Sequence, residues 1–361
     1  MSVTSEALKA GAIEGDRSRT AALAIACLAV ALVAVSVVSL GVGPAGIPVR
    51  DVLKILIAGP DATDIPAGDV LIVWQIRMPR VLLGTLIGAS LAVGGAVMQG
   101  LFRNPLADPG LVGVSSGAAL AAVSTIVLGP GLLAPFVAVT GIFSLPLAAF
   151  FGGLISTVTL YGIATRRGRT SVATMLLAGI ALGAFAGAAT GLLVYIANDQ
   201  QLRELTFWSL GALSGSSWTK FWASGPILAF ILIAAPILGR GLNAIVLGEA
   251  EAFHLGVNVQ RLKKLAVFLV AAATGAAVAV SGVIGFVGIV VPHLLRLAIG
   301  ADHRALLPAS ALLGAILLLC ADMFARTVVA PAELPIGIVT AALGAPFFLW
   351  MLLRNRGFVD M

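Results

Sequence analysis

The polar residues that could do chemistry in this chain are concentrated between Arg77 and Ala119, inside an otherwise apolar and glycine-rich stretch. Two arginines open the stretch, and its centre is interrupted by Gln99, Arg103, Asn104, Pro105, Asp108 and Pro109. Irregular backbone at membrane depth is stable only where protein or a water-filled cavity covers its polar groups. The segment therefore predicts the wall of a pathway, with Gln99, Asn104 and Pro105 at the path or its gate.

Several kinds of chemistry have no matching residues in the sequence. A GxxxxGK[ST] phosphate loop is missing, so ATP is not expected to bind here. No predicted span carries Asp, Glu or Lys near its centre, and the nearest carboxylate, Asp322, lies near the outer end of its span. His254, His293 and His303 lack metal-ligand spacing, so neither a metal nor a bound cofactor is expected. Energy must come from a partner, unless the chain is a passive channel.

Composition places the chain in a membrane. Of its 361 residues, 60% are hydrophobic and 11% are charged, and the mean hydropathy is +1.08. A helix needs about 17–25 apolar residues to cross a bilayer. We predict an all-α bundle of ten transmembrane helices in one domain, 21–356, between tails at 1–20 and 357–361. The spans lie near 21–43, 81–101, 111–128, 142–164, 172–197, 221–239, 265–283, 284–300, 305–324 and 335–353.

The distribution of basic residues predicts the orientation of the spans. With the N-terminus in the cytoplasm, 15 of the 22 Lys and Arg residues lie inside, as the positive-inside rule requires. An even number of spans then puts both termini in the cytoplasm of a bacterial inner-membrane protein. The basic pI of 9.9 reflects these loops and does not indicate nucleic-acid binding.

A short sequence occurs twice, at Gly88–Gly95 and at Gly275–Gly282, with five of eight positions identical and an offset of 187 residues. A polar break follows each copy. Because the predicted topology reverses the direction of the second copy, the pattern predicts inverted internal repeats. Chance similarity between two Gly/Ala-rich helices is the alternative.

Small residues inside the spans carry two further predictions. Gly179, Gly183, Gly187 and Gly191 recur at four-residue intervals and form a stripe expected to pack against another helix of the same chain. Cys27 and Cys320 lie in apolar spans, where they are expected to be small buried residues rather than a disulfide or metal pair.

Five long motifs occur in order along the chain. They are the RxPR start at Arg77, the GAxLAxxGxxxQ helix, the RNPLADPGLxGVSSGA break, the GFVGIVVPHLLR segment and the AELPIGIVTAALGAPFFLWML final span. Together they resemble the permeases of type II ABC importers, which take up iron–siderophores, haem and cobalamin. The resemblance implies ten helices and a homodimer around the pathway. It also implies two cytoplasmic ATPase subunits holding ATP and Mg²⁺, and a periplasmic substrate-binding protein.

The most polar connection between spans, Gly239–Val257, is predicted to form short helices on the cytoplasmic surface. By resemblance the region 240–262 couples the permease to its ATPase. The coupling residues are Leu247, Gly248, Ala250, Phe253, Leu255, Gly256 and Val257. A solvated amphipathic loop that merely joins spans six and seven is the alternative.

The resemblance assigns two further sites. Arg77, Arg80 and Arg326, at the outer ends of spans, match arginines that dock glutamates of the binding protein; interfacial snorkelling is the alternative. The cytoplasmic turn before span five matches the inner gate, with Ser171, Val172 and Ala173 at the closure.

The last prediction concerns the identity of the substrate. The segment DQQLRELTFWSLG at 199–211 looks most like haem permeases, so haem leads over ferric siderophores and cobalamin. An ion-coupled secondary carrier would need a coupling carboxylate that no predicted span supplies. A membrane enzyme would need His or Asp beside the Ser and Thr of the spans, and none is apparent. The chain is therefore predicted to be a transport subunit without catalytic residues.

Overall fold

The structure is a computed structural model that describes residues 17–60, 64–166 and 169–354. The predicted C-terminal tail, 357–361, lies outside the described residues. So does most of the predicted N-terminal tail, of which only 17–20 are described.

The described residues form helices and one small hairpin. The helices are α1 (Ser18–Gly41), α2 (Val49–Ala58), α3 (Ala67–Leu71), α4 (Met78–Phe102), α5 (Val114–Leu128), α6 (Ala134–Thr140), α7 (Ser144–Ala164), α8 (Val172–Ile196), α9 (Asp199–Ser209), α10 (Trp218–Ala234), α11 (Gly239–Leu247), α12 (Glu249–His254), α13 (Val259–Ser281), α14 (Val287–Ile299), α15 (His303–Ala325) and α16 (Ile336–Arg354). A π-helical segment, Ile72–Arg77, joins α3 to α4. Strands β1 (Thr165–Arg166) and β2 (Arg169–Thr170) pair antiparallel.

The prediction of a helical membrane bundle is confirmed. Seven described helical stretches are long and apolar enough to cross a bilayer, and three shorter apolar helices, α5, α14 and most of α16, complete a set of ten. Each lies at a predicted span, including the two shortest, 111–128 and 284–300. Because these three are shorter than the roughly 20 residues a straight crossing needs, the number of spans stays a prediction.

The connections contain the predicted short helices, α11 and α12, and further helices that the spans did not include. One of them, α9, begins with a capping box: the Asn198 side chain accepts from the Gln201 backbone N–H at 2.9 Å. The Gln201 side chain in turn accepts from the Asn198 N–H at 3.0 Å. An Asn followed three residues later by Gln is a readable helix start. The start of α9 is therefore predictable from the sequence.

Two helices, α4 and α13, form the centre of the bundle. In their most apolar windows 83% and 78% of the residues are buried, against 6% for α1 and for α8. The two copies of the repeated sequence lie on these two central helices. Small residues are needed there because neighbouring backbones come close: a methyl group on Gly88 would overlap the carbonyl oxygen of Gly314 on α15.

One prediction about small residues holds only in part and another is wrong. Gly183 of α8 lies against Ser116 of α5, but a methyl group added at Gly187 or Gly191 would meet nothing within 4 Å in the described chain, so the glycine stripe packs internally only in part. Cys27 and Cys320 are exposed rather than buried. The reason is the same in each case: apolar composition identifies a membrane helix, but it does not distinguish a face toward protein from a face toward lipid.

Candidate functional site

Three arginines at the predicted outer ends of α4 and α15 form what we call the outer arginine cluster: Arg77, Arg80 and Arg326. Only 4%, 7% and 2% of their respective surfaces is exposed. Arg77 donates to the carbonyl oxygen of Leu40 at 2.6 Å and also to that of Ala45, which joins the start of α4 to the chain after α1. The guanidinium groups thus point into the protein.

Internal acceptors occupy the rest of the cluster. Arg80 donates to the Asp322 carboxylate at 2.7 Å and forms a second, two-pronged pair with Glu333 at 2.9 and 3.0 Å. Arg326 donates to the backbone and hydroxyl oxygens of Ser39 at 2.8 and 2.6 Å, and its Nε lies 3.5 Å from Asp322. Four parts of the chain meet here: the ends of α1 and α15, the start of α4 and the segment before α16.

Burial determines what this network contributes. The Asp322 side chain is 1% exposed and the Glu333 side chain 30% exposed, so Asp322 depends on its arginines for neutralisation while Glu333 also meets solvent. Asp322 and Arg326 are four residues apart on one helix, a spacing that predicts a pair. No local signal links Arg80 to Glu333, 253 residues away. The sequence predicts a site at the arginines, but it does not predict that Asp322 and Glu333 pair with them.

At the other end of α4, Gln99 joins two helices. It is 2% exposed; its amide donates to the carbonyl oxygen of Gly288 at 3.0 Å, and its oxygen accepts from Arg296. One turn earlier, Gly95 lies so close to Gly288 that an added methyl group would overlap that same carbonyl. Helices α4 and α14 therefore touch backbone to backbone, and Gln99 satisfies a carbonyl oxygen at the crossing.

The polar break after α4 turns back along the helix it has just left. Arg103, in the left-handed conformation (φ 51°), ends α4, and Pro109 then lies beside Gly94, near the middle of that helix. Eight residues of α-helix rise about 12 Å, so the break re-enters the bundle by that order of distance. It carries Asp108, whose carboxylate lies against Gly288 and accepts the Gly110 N–H at 2.8 Å. The fold thus brings a carboxylate to a depth at which the span pattern placed none.

The three predicted path residues of this region differ in environment. Gln99 is buried, whereas Asn104 and Pro105 are exposed at the start of the break. The Asn104 side chain accepts from the Leu106 backbone N–H at 2.9 Å and shapes the turn. Gln99 is therefore a structural link between helices, and the other two residues lie at the mouth of the break.

The predicted coupling region forms two short helices, α11 and α12, joined at Gly248, whose φ of +130° favours glycine. Leu247, Phe253 and Leu255 are 66%, 71% and 64% exposed. Ala250 and Gly256 are exposed as well, Val257 is half-buried and Gly248 is buried. Ala252 and the inner face of α11 anchor the region to the bundle. Large apolar side chains are thus presented on a surface where the described residues leave about two thirds of each one uncovered.

The predicted inner gate lies at the hairpin β1–β2 and the residues that follow it. We call the described part of this hairpin, 165–166 and 169–171, the gate hairpin. The hydroxyls of Thr165 and Thr170 lie 3.0 Å apart, and Ser171 caps α8 by accepting from the Thr174 N–H at 3.3 Å. Ser171 and Ala173 are exposed. The side chain of Val172 and the hairpin tip, 167–168, lie outside the described residues.

A groove of about 1080 Å³ brings the gate and the coupling region together. Its walls come from the gate hairpin, α12 and the start of α13; they include Thr170, Ser171, Glu249, Ala250, Phe253, Gly256, Val257 and Gln260. Two sites that the sequence could assign only separately therefore share one surface of the bundle. A protein inserted into this groove would touch both.

A polar contact joins α11 to the start of α15 on the same side. Asn243 donates to Asp302 at 2.6 Å and accepts from the backbone N–H of His303 at 2.9 Å. Burial favours a higher pKa for Asp302, but the hydrogen bonds from Asn243 and the Arg304 N–H and the nearby Arg304 charge bring it below its usual value. Among the described residues, no three His, Cys, Asp or Glu side chains form a group able to hold a metal.

Comparison with known proteins identifies a family. Residues 29–354 match the model of the FecCD transport family. The hemin transport system permease protein HmuU of Yersinia pestis is 51% identical over 285 residues, which cover 79% of this chain and 84% of the relative. The cobalamin import system permease protein BtuC of Halobacterium salinarum is 45% identical over 304 residues, covering 84% of this chain and 79% of the relative.

A solved structure supports the same fold. It is described as an inward-facing conformation of a metal-chelate type ABC transporter, and it superposes with a TM-score of 0.79 at 31% identity. The match covers 91% of this chain and 98% of the solved chain. The helical bundle therefore has the fold of a known transporter.

Proposed function

Because this chain belongs to the FecCD transport family and is the membrane permease of a metal-chelate type ABC importer, we propose that it imports haem from the periplasm into the cytoplasm. The support for haem is the 51% identity to a hemin permease together with the haem-like segment 199–211. Ferric siderophores and cobalamin are the alternatives, since cobalamin permeases are 45% identical.

The observation that carries the transport mechanism is the cytoplasmic groove. The chain has no phosphate loop, so the energy of ATP must enter through a contact with ATPase subunits that hold ATP and Mg²⁺. Phe253 and Leu255 offer that contact an exposed apolar surface, and the gate hairpin forms the opposite wall of the groove. Two ATPase subunits would each occupy one such groove.

We propose a homodimer of ten-span subunits, with the pathway between the two copies and both termini in the cytoplasm. The open glycine face of α8 supports this arrangement, because Gly187 and Gly191 leave room for a backbone that the single chain does not provide. Inverted repeats remain the best interpretation of the two central helices α4 and α13. The distribution of Lys and Arg supports the orientation.

Docking of a periplasmic binding protein at the outer arginine cluster is also a proposal. Three arginines and two carboxylates, Asp322 and Glu333, give the cluster a net charge of +1. Such a surface attracts glutamates of a partner. Because Arg80 is only 7% exposed, direct pairing requires Glu333 to move aside.

The test is uptake by proteoliposomes that contain this chain with its ATPase and binding protein. We expect ATP-dependent accumulation of haem, with less uptake of a ferric siderophore and of cobalamin. An ATPase variant unable to hydrolyse ATP is the control and should abolish uptake. Preferential uptake of cobalamin or of the siderophore would contradict the haem assignment.

An ion-coupled secondary carrier, the alternative from another class, is excluded by the family: the chain matches the FecCD transport family over residues 29–354 and superposes on a metal-chelate type ABC transporter.

A further inference from the structure

A buried lysine connects the coupling region to the gate hairpin. Lys263, in the second turn of α13, is 3% exposed. Its ammonium group donates to the Glu249 carboxylate at 2.7 Å and to the carbonyl oxygen of Thr170 at 3.1 Å. Burying an ammonium is unfavourable unless it is paired, so these two contacts keep the side chain inside. The lysine thereby joins the first residue of α12 to the last strand residue of the gate hairpin.

A second side chain on the same helix face completes the contact. Gln260 lies one turn before Lys263, and its side-chain oxygen accepts from the Thr170 backbone N–H at 3.1 Å. Both backbone groups of Thr170 are therefore held by α13. The next residue, Ser171, caps α8, so the position of Thr170 fixes where α8 begins.

The exposed member of this network is the one on the coupling helix. The Glu249 side chain is 44% exposed and lines the cytoplasmic groove, whereas Lys263 is covered. A protein that enters the groove and displaces α12 would move Glu249 first. The Lys263 ammonium would then either move with the Glu249 carboxylate or keep only its hydrogen bond to the Thr170 carbonyl. Each response changes the contact between α13 and the gate hairpin.

We propose that Lys263, supported by Gln260, is the positioning residue that transmits movement of α12 to the gate hairpin and the start of α8. This rests on the proposed function only in that an ATPase must bind the groove. It does not depend on which substrate is carried. If the ion pair only stabilised the fold, removing it would lower stability. It would not leave ATP hydrolysis intact while abolishing gate movement.

The test measures the gate directly in the assembled complex of permease and ATPase. A reporter cysteine, Ala173→Cys, is placed beside the gate hairpin in a background where Cys27 and Cys320 are replaced by serine. We expect ATP to change the thiol-labelling rate of this reporter. Lys263→Met, which keeps the length of the side chain and removes its donors, should reduce that change about tenfold or more, the scale of a charge-assisted contact. The ATPase should continue to turn over.

The adjacent Lys264 provides the matched control, because it is exposed on the same turn. Lys264→Met should leave the ATP-dependent labelling change as in the parent protein. Lys263→Arg, which retains the charge and donors, should restore part of the response. If Lys263→Met responds to ATP like the parent, the proposal is wrong.

A second variant and a second measurement complete the test. If Lys263→Met does not assemble, Glu249→Gln tests the same link from the exposed side; an unchanged labelling response there would overturn the proposal. In the parent complex, haem uptake is measured in parallel. A gate response without haem uptake would refute the substrate assignment and leave the Lys263 link supported, so the two failures are distinguishable.

Discussion

The outer arginine cluster and the cytoplasmic groove were both predicted as docking surfaces, yet the chain builds them in opposite ways. At the outer end, Arg77, Arg80 and Arg326 are buried, and each donates to acceptors of the same chain. At the inner end, Phe253 and Leu255 are exposed and have no internal partner for most of their surface. The outer surface has the right charge but is internally occupied, whereas the inner surface is free.

Because of this difference, the outer cluster contributes to the stability of the fold, whereas the groove is available for binding a partner. Breaking a buried ion pair leaves an unpaired charge and destabilises the protein itself. Replacing an exposed apolar side chain costs the isolated protein little, and it removes binding energy only when a partner covers it. Mutations at the two ends should therefore affect different measurements.

The largest effect is expected at Arg80. Arg80→Ala leaves the Asp322 carboxylate, 1% exposed, with only the more distant Arg326 charge, and should lower the free energy of unfolding by about 3–5 kcal/mol. Thermal unfolding of the purified permease measures this. Arg50→Ala is the control, because the Arg50 side chain is 81% exposed and should contribute less than about 1 kcal/mol. Equal stability of the two variants would contradict the structural role of the cluster.

The next effect separates binding from stability. Phe253→Asp should weaken ATPase association by about 2 kcal/mol or more, as loss of a buried apolar anchor does, while unfolding of the free permease is nearly unchanged. Co-purification with the ATPase gives the binding result. Leu132, 79% exposed in the loop after α5, is the control, and Leu132→Asp should bind the ATPase normally. Full co-purification of Phe253→Asp would remove the coupling assignment.

A smaller change tests whether the outer cluster also docks a partner. Glu333→Gln removes one of two internal carboxylates from Arg80 and raises the net charge of the cluster from +1 to +2. Stability should fall by about 1 kcal/mol, because the Glu333 side chain is partly solvated. Affinity for the binding protein should rise, since the competing carboxylate is gone. Unchanged or weaker binding would contradict a docking role and leave the cluster with a structural role only.

The smallest effect concerns pH at the cytoplasmic end. The pKa of Asp302 is below its usual value, so its contribution to stability is complete above the unfolded-state pKa, near 4, and is lost as pH falls through the folded value. Asp302→Asn should remove this part of the acid dependence, by less than about 1 kcal/mol at this partly exposed site. Acid unfolding curves that coincide for the two proteins would contradict the contribution of Asp302.

Hydropathy alone located the helices because the bilayer imposes length and apolarity on each one. Even the interrupted stretches 111–128 and 284–300 correspond to α5 and α14. Helix starts in loops were also readable, as the Asn198 and Gln201 capping box of α9 demonstrates. These features depend on neighbours in sequence, which is why the sequence can report them.

Side-chain contacts between distant parts of the chain could not be predicted from the sequence. Asp108 reaches the depth of Gly94 only because the break packs on a glycine-lined crossing, and no property of the break alone specifies that depth. The same holds for Arg80 and Glu333, and for Lys263 and Thr170. Motif resemblance predicts which residues act at both ends, but burial decides whether each side chain contacts its own chain or is exposed to a partner.

Hydrogen exchange on the assembled complex tests this account most directly, with the permease measured alone and then with its ATPase. We predict that the ATPase slows exchange in α11, α12 and the gate hairpin and leaves the backbone around Arg77 and Arg326 unchanged. An ATPase that leaves α12 unprotected, or that protects the outer end instead, would contradict the assignment of the two surfaces.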